Sequence, residues 1–112
     1  MTMNDLFESI APLVEAEKAR AKALHGEHYA SMHEAVGVLM EELQEGWDEG
    51  KALDGLLDDL VRMIRNGDTA MTEGILSVIR HTASLAACEY VQVAAVAQKA
   101  LDGMGGAQDG KS

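Results

Sequence analysis

Ser84–Leu101 reads SLAACEYVQVAAVAQKAL, a mostly apolar run with the acid Glu89 and the amide Gln92 set inside it. Read as a helix, these two side chains lie one turn apart on the same side. A carboxylate in such surroundings needs a cation, a metal or a hydrogen-bonding partner. The rest of the chain offers one dense group of acids, Glu41, Glu42, Glu45, Asp48 and Glu49. Whether these two regions meet decides what the chain can do.

Working outward from that run, nothing in the 112 residues alternates with a period of two, and Ala, Leu, Glu, Met and Lys dominate. The expected fold class is all-α, as one helical domain over residues 1–103 and a flexible Gly-rich tail, GMGGAQDGKS, over the last residues, 104–112 with its preceding Gly103. Four helices are expected. The first covers about Asn4 to Leu24, with Asn4 as its cap, and Pro12 kinking it or restarting it from Ser9. The second covers about Glu27 to Glu49. Its apolar residues Tyr29, Met32, Val36, Leu39, Met40, Leu43 and Trp47 cluster within about 60° of the direction of Val36. Gly50 is the expected stop. The third covers about Ala52 to Arg65 and ends at Asn66-Gly67. The fourth covers about Ala70 to Leu101, capped by Asp68, Thr69 or Thr72. It is apolar on most sides, so other helices or other subunits must cover it.

Composition narrows the function. A formal charge of −10 repels phosphate backbones and argues against direct nucleic-acid binding. It fits a divalent-metal site, a basic partner or plain solubility. Cys88 is the single cysteine, so an internal disulfide and a cysteine-based zinc cluster are both excluded. Its place in the apolar run reads as a small packed hydrophobe. No stretch has the length and hydropathy of a membrane span, and MTMNDLFESI lacks the basic start of a signal peptide, so a cytoplasmic location is expected. The histidines His25, His28 and His33 read as helix-end or surface residues. Lys18, Arg20 and Lys22 form a small basic patch. Trp47 reads as core packing.

The acids carry the chemistry. Glu42 and Glu45 stand three apart on a helix, so their carboxylates can converge on one ion; Glu89 and Gln92 share that spacing. Side by side, two such helices present four oxygen-bearing side chains, which suits magnesium or manganese. A solvated helix face is the plainer alternative for the Glu41–Glu49 acids.

EELQE (Glu41–Glu45) followed by EYVQVAAVAQKA (Glu89–Ala100) resembles the MazG-like all-α nucleoside triphosphate pyrophosphohydrolases, which carry a Glu-Glu-x-x-Glu helix and later a Glu-x-x-Asp helix with a Val-rich continuation. SMHEAVGVLMEELQEGWDE is similar to the versions in small phage and bacterial proteins. The resemblance covers Ser31–Glu49 and Cys88–Leu101. It implies a helical bundle assembled as a homodimer or homotetramer. It also implies magnesium-dependent hydrolysis of a nucleoside triphosphate to the monophosphate and pyrophosphate. By it, Glu42, Glu45 and Glu89 are magnesium ligands, Gln92 stands in the place of a fourth ligand, and Glu41 joins Glu42 and Glu45 in the catalytic motif. Two departures stand out: Gln92 replaces an Asp, which removes a negative charge, and the segment between the motifs is longer than usual. A non-enzymatic alternative is an acidic helical protein, of phage origin, whose acid faces dock on a basic partner.

Overall fold

The computed structural model describes the backbone of residues 1–111 and the side chains of residues 1–104. Among them all regular structure is helical, in three elements: α1 Met3–His25, α2 Met32–Arg65 and α3 Thr69–Lys111. The all-α expectation holds; the count of four does not. The expected second and third helices are one, because α2 runs through Gly50 without a break. A glycine stops a helix when its backbone turns left-handed, and Gly50 has no positive φ. Inside a helix it costs only about 1 kcal/mol relative to alanine.

The helix ends follow local chemistry. α1 starts at Thr2 rather than Asn4: Asp5 N–H donates to Thr2 Oγ1 (3.1 Å), and Thr2 N–H donates to Asp5 Oδ2 (2.9 Å), a reciprocal capping box. Ser9 does not restart the helix; its hydroxyl donates back to the Asp5 carbonyl, and Pro12 lies inside α1. Gly26, at φ 96°, ends it. Ser31 caps α2 by accepting from Glu34 N–H (3.2 Å), so the helix begins at Met32 and Tyr29 falls in the connecting segment. Asn66-Gly67 terminates α2 as expected. Gly67 has φ 68°, its N–H donates to Ile64, and Asp68 N–H donates to Met63, which is the Schellman pattern. Asp68 then caps α3 by accepting from Met71 N–H (3.1 Å). α3 extends past the expected end at Leu101; the tail expectation falls largely on residues 105–112, whose side chains lie outside the described residues.

The chain divides into two compact units. Unit 1, residues 1–43 with 90–112, contains α1, the start of α2 and the later part of α3. Its buried apolar residues are Ala35, Ala95 and Val96. Lys18 Nζ donates to Asp102 Oδ2 at 2.8 Å and Lys22 Nζ approaches the same oxygen at 3.3 Å, joining α1 to α3. Unit 2, residues 44–89, pairs the remainder of α2 with the beginning of α3, around buried Ala86 and Thr82.

Much of the apolar stripe expected to face a core is exposed. In unit 1, Val36, Met40 and Leu43 are 44%, 66% and 52% accessible. In unit 2, Trp47 is 58% accessible and Cys88 is exposed, so neither is the packed core residue the sequence suggested. A hairpin of two helices covers one side of each helix and leaves the other bare, which is the physical reason for both corrections. No helix is long and apolar enough to cross a membrane.

Candidate functional site

Within unit 2, Glu45 on α2 and Glu89 on α3 each present a carboxylate oxygen, and the two oxygens lie within 4.8 Å. Glu45 is exposed and Glu89 half-buried, with its Oε2 shielded from solvent. The helical rise brings these residues together: Gly67 reverses the chain after α2, so α3 returns alongside it and the two acids meet across the hairpin. Glu42 precedes Glu45 by one turn on the same helix and is half-buried.

Carboxylates are hard oxygen donors, the set that magnesium and manganese accept. Around magnesium, ligand oxygens sit about 2.1 Å from the ion, so opposed ones are about 4.2 Å apart. A separation of up to 4.8 Å between Glu45 and Glu89 is thus within a small side-chain adjustment of bridging such an ion. The donor set fits a hard divalent cation and does not fit a thiophilic one.

Within unit 1, a cavity of about 320 Å³ is lined by acids and bases together: Glu41, Glu42, Glu17 and Glu34 with Arg20, His25 and Lys99. Tyr29, Gln92 and Val96 complete much of its wall. Arg20 Nε contacts both carboxylate oxygens of Glu17 (3.0 and 3.1 Å), and its Nη2 also pairs with Glu17. The guanidinium holds the Glu17 carboxyl below its ordinary range, and the Glu17 carboxylate raises Arg20, with Glu42 adding a smaller contribution of the same sign. Burial pushes the Tyr29 hydroxyl up, aided by the negative charges of Glu34 and Glu42. Gln92 Nε2 donates to Glu17 Oε1 at 3.3 Å. Its amide hydrogen is therefore engaged with α1.

Glu45 and Glu89 meet within unit 2. Glu41, Glu42 and Gln92 line the unit 1 cavity. The basic patch is spent on intrachain pairs: Lys18 and Lys22 on Asp102, and Arg20 on Glu17. His25 and His28 are exposed and line separate cavities, as helix-end and surface residues. Sequence reading missed Lys99, which is 1% accessible, with its ammonium 4.1 Å from the centre of the Tyr29 ring. The available signal was a lone cation in the otherwise uncharged run from Tyr90 to Leu101.

Comparison with protein-family models, with curated proteins and with solved structures returns no match. The functional reading therefore stands on these residues.

Proposed function

We propose that the chain is a MazG-like, magnesium-dependent nucleoside triphosphate pyrophosphohydrolase, or a diverged member of that group with weakened catalysis. The observation that carries the reading is the approach of Glu45 to Glu89 within 4.8 Å, from two separate helices and from the two motifs that resemble the family's. Glu42, one turn before Glu45, is the third ligand, Glu41 supports it, and manganese is the natural substitute for magnesium. A bound divalent ion neutralises polyphosphate charge and acidifies water for attack on phosphorus. The protein's own part is to hold these carboxylates ionised and oriented. Lys99, in the wall that also carries Glu41 and Glu42, supplies positive charge for a phosphate group.

The diverged form is favoured by Gln92. Its amide oxygen carries no charge, and its amide hydrogen is bonded to Glu17. Ion affinity is accordingly lower than with an aspartate. A homodimer or homotetramer goes with the reading, supported by the exposure of Val36, Met40 and Leu43 in unit 1. The same exposure, with the −10 charge, favours the second reading, an acidic non-enzymatic protein that binds a basic partner.

The test is release of pyrophosphate from the ribo- and deoxyribonucleoside triphosphates with magnesium or manganese. Turnover that disappears in Glu45→Gln and Glu89→Gln supports the enzyme. No turnover and no divalent-ion binding overturn it. Salt-sensitive capture of one basic partner, lost in Glu41→Lys and indifferent to metal, identifies the second reading.

A further inference from the structure

Glu17 stands on α1, the helix outside both acidic motifs, and lines the unit 1 cavity together with Gln92, Glu41 and Glu42. Its side chain is 23% accessible. Arg20 donates to it from Nε, at 3.0 Å to Oε1, and from Nη2. Gln92 donates from Nε2 to the same Oε1 at 3.3 Å.

This chemistry fixes which way the Gln92 amide faces. Arg20 holds the Glu17 carboxyl below its ordinary range, so at neutral pH it is ionised and can only accept. Turned by half a rotation, the amide would set its oxygen against that carboxylate, two acceptors with no hydrogen between them. The NH2 end therefore faces Glu17, and Oε1, at the other end of the planar group, faces away from it.

That orientation matters at this position. Gln92 lies one turn after Glu89 on the same side of α3. A carboxylate there would offer a cation the same oxygen from either end. An amide offers an oxygen from one end and repelling N–H groups from the other. A glutamine serves a hard cation only when something else sets its orientation. As a mere tie between helices the contact adds little. Lys18 and Lys22 already join α1 to α3 through Asp102, at 2.8 and 3.3 Å. The Gln92 bond is at the long end of the hydrogen-bond range and only partly buried.

We infer that Glu17 is a positioning residue for the metal site: clamped by Arg20, it turns the Gln92 amide so that Oε1 is offered to the cation that Glu89 binds. This rests on the proposed enzymatic reading and brings into it α1, which carries neither motif. The clamp gives the neutral ligand the one orientation that a hard cation accepts.

Manganese binding to the full chain is titrated by electron paramagnetic resonance in wild type, Glu17→Gln, Gln92→Ala and the double variant. Glu15→Gln, at an exposed acid of the same helix, controls for the removal of one charge. Glu17→Gln is expected to weaken manganese about tenfold, as loss of a ligand's supporting partner does. Gln92→Ala weakens it about as much, and the double variant no more than either alone. Glu15→Gln stays within about twofold of wild type. A through-space charge effect or a general loosening of the fold would act with or without the amide at position 92. Wild-type affinity in Glu17→Gln, or losses that multiply in the double variant, overturns the assignment and leaves the metal site standing. A wild type that binds no manganese overturns both. Should Glu17→Gln fail to fold, the side-chain NH2 resonances that disappear in Gln92→Ala decide. They are expected to shift when magnesium is added to the wild type, and resonances that magnesium leaves unmoved overturn the assignment.

Discussion

Asp102 accepts a hydrogen bond from Lys18 at 2.8 Å, and Gln98 and Lys22 close on the same carboxylate from 2.9 and 3.3 Å. The contact ties α3 to α1 across 84 residues of sequence. Lys18 first, then Gln98 and Lys22, hold the Asp102 carboxyl well below the usual carboxylate range. The Lys18 ammonium is correspondingly raised, by Asp102 first and then Glu15.

These shifts fix the sign of the pH dependence. A folded-state carboxyl held below its unfolded value contributes stability above about pH 4, and that stability is lost as pH falls further. A raised lysine contributes stability below its ordinary value of 10.5 and loses it as pH rises beyond. Asp102→Asn is therefore expected to lower Tm by a few degrees at pH 7 and to flatten the decline of Tm between pH 5 and pH 2. Circular-dichroism melts across that range check it. Parallel acid limbs in the two proteins contradict the assignment.

What the sequence made legible, and what it did not, follows from the range of each interaction. Asn66-Gly67 was readable as a stop because a left-handed glycine after a basic last turn is local chemistry. Gly50 misled because the same residue type either ends a helix or sits inside one, and only the backbone angle distinguishes them. Glu45 and Glu89 were legible as a pair because their motifs sit on opposite arms of a hairpin. Lys99 was not, since its partner Tyr29 lies in a connecting segment that periodicity had assigned to a helix. Trp47 and Cys88 were misplaced because apolar spacing reports a face to be covered, not what covers it.

Gly50 and Gly67 give opposite outcomes for one substitution. Neither has any neighbouring atom within 4 Å of an added Cβ, so only backbone preference acts. Gly50→Ala, inside α2, is expected to stabilise by about 0.5–1 kcal/mol. Gly67→Ala, at φ 68°, is expected to destabilise by about 1–2 kcal/mol. Urea titrations with unchanged slope measure both. Destabilisation by Gly50→Ala would mean that α2 is broken there.

Gln92→Asp tests the charge that the proposed metal site lacks. The substitution adds a carboxylate one turn after Glu89 and removes the amide donor to Glu17. Manganese affinity is expected to rise about tenfold or more, since each added carboxylate strengthens a hard-cation site. Electron paramagnetic resonance titration with manganese reads it directly. The rise must vanish in Gln92→Asp combined with Glu89→Gln; a rise that persists there belongs to some other group of acids.

The exposed apolar residues of α2 predict how the chain behaves with concentration. Met40 is 66% accessible, and Val36 and Leu43 flank it along the helix in unit 1. Such a patch is covered when chains associate, and the folded assembly then gains stability by mass action. Tm is expected to rise with protein concentration from the micromolar to the hundred-micromolar range. Sedimentation velocity should show a dimer or tetramer. Met40→Lys places a charge at the patch centre and shifts the distribution toward single chains, with Tm losing its concentration dependence. A single-chain species throughout that range, with the same Tm in wild type and Met40→Lys, removes the assembly and leaves the patch to a different partner.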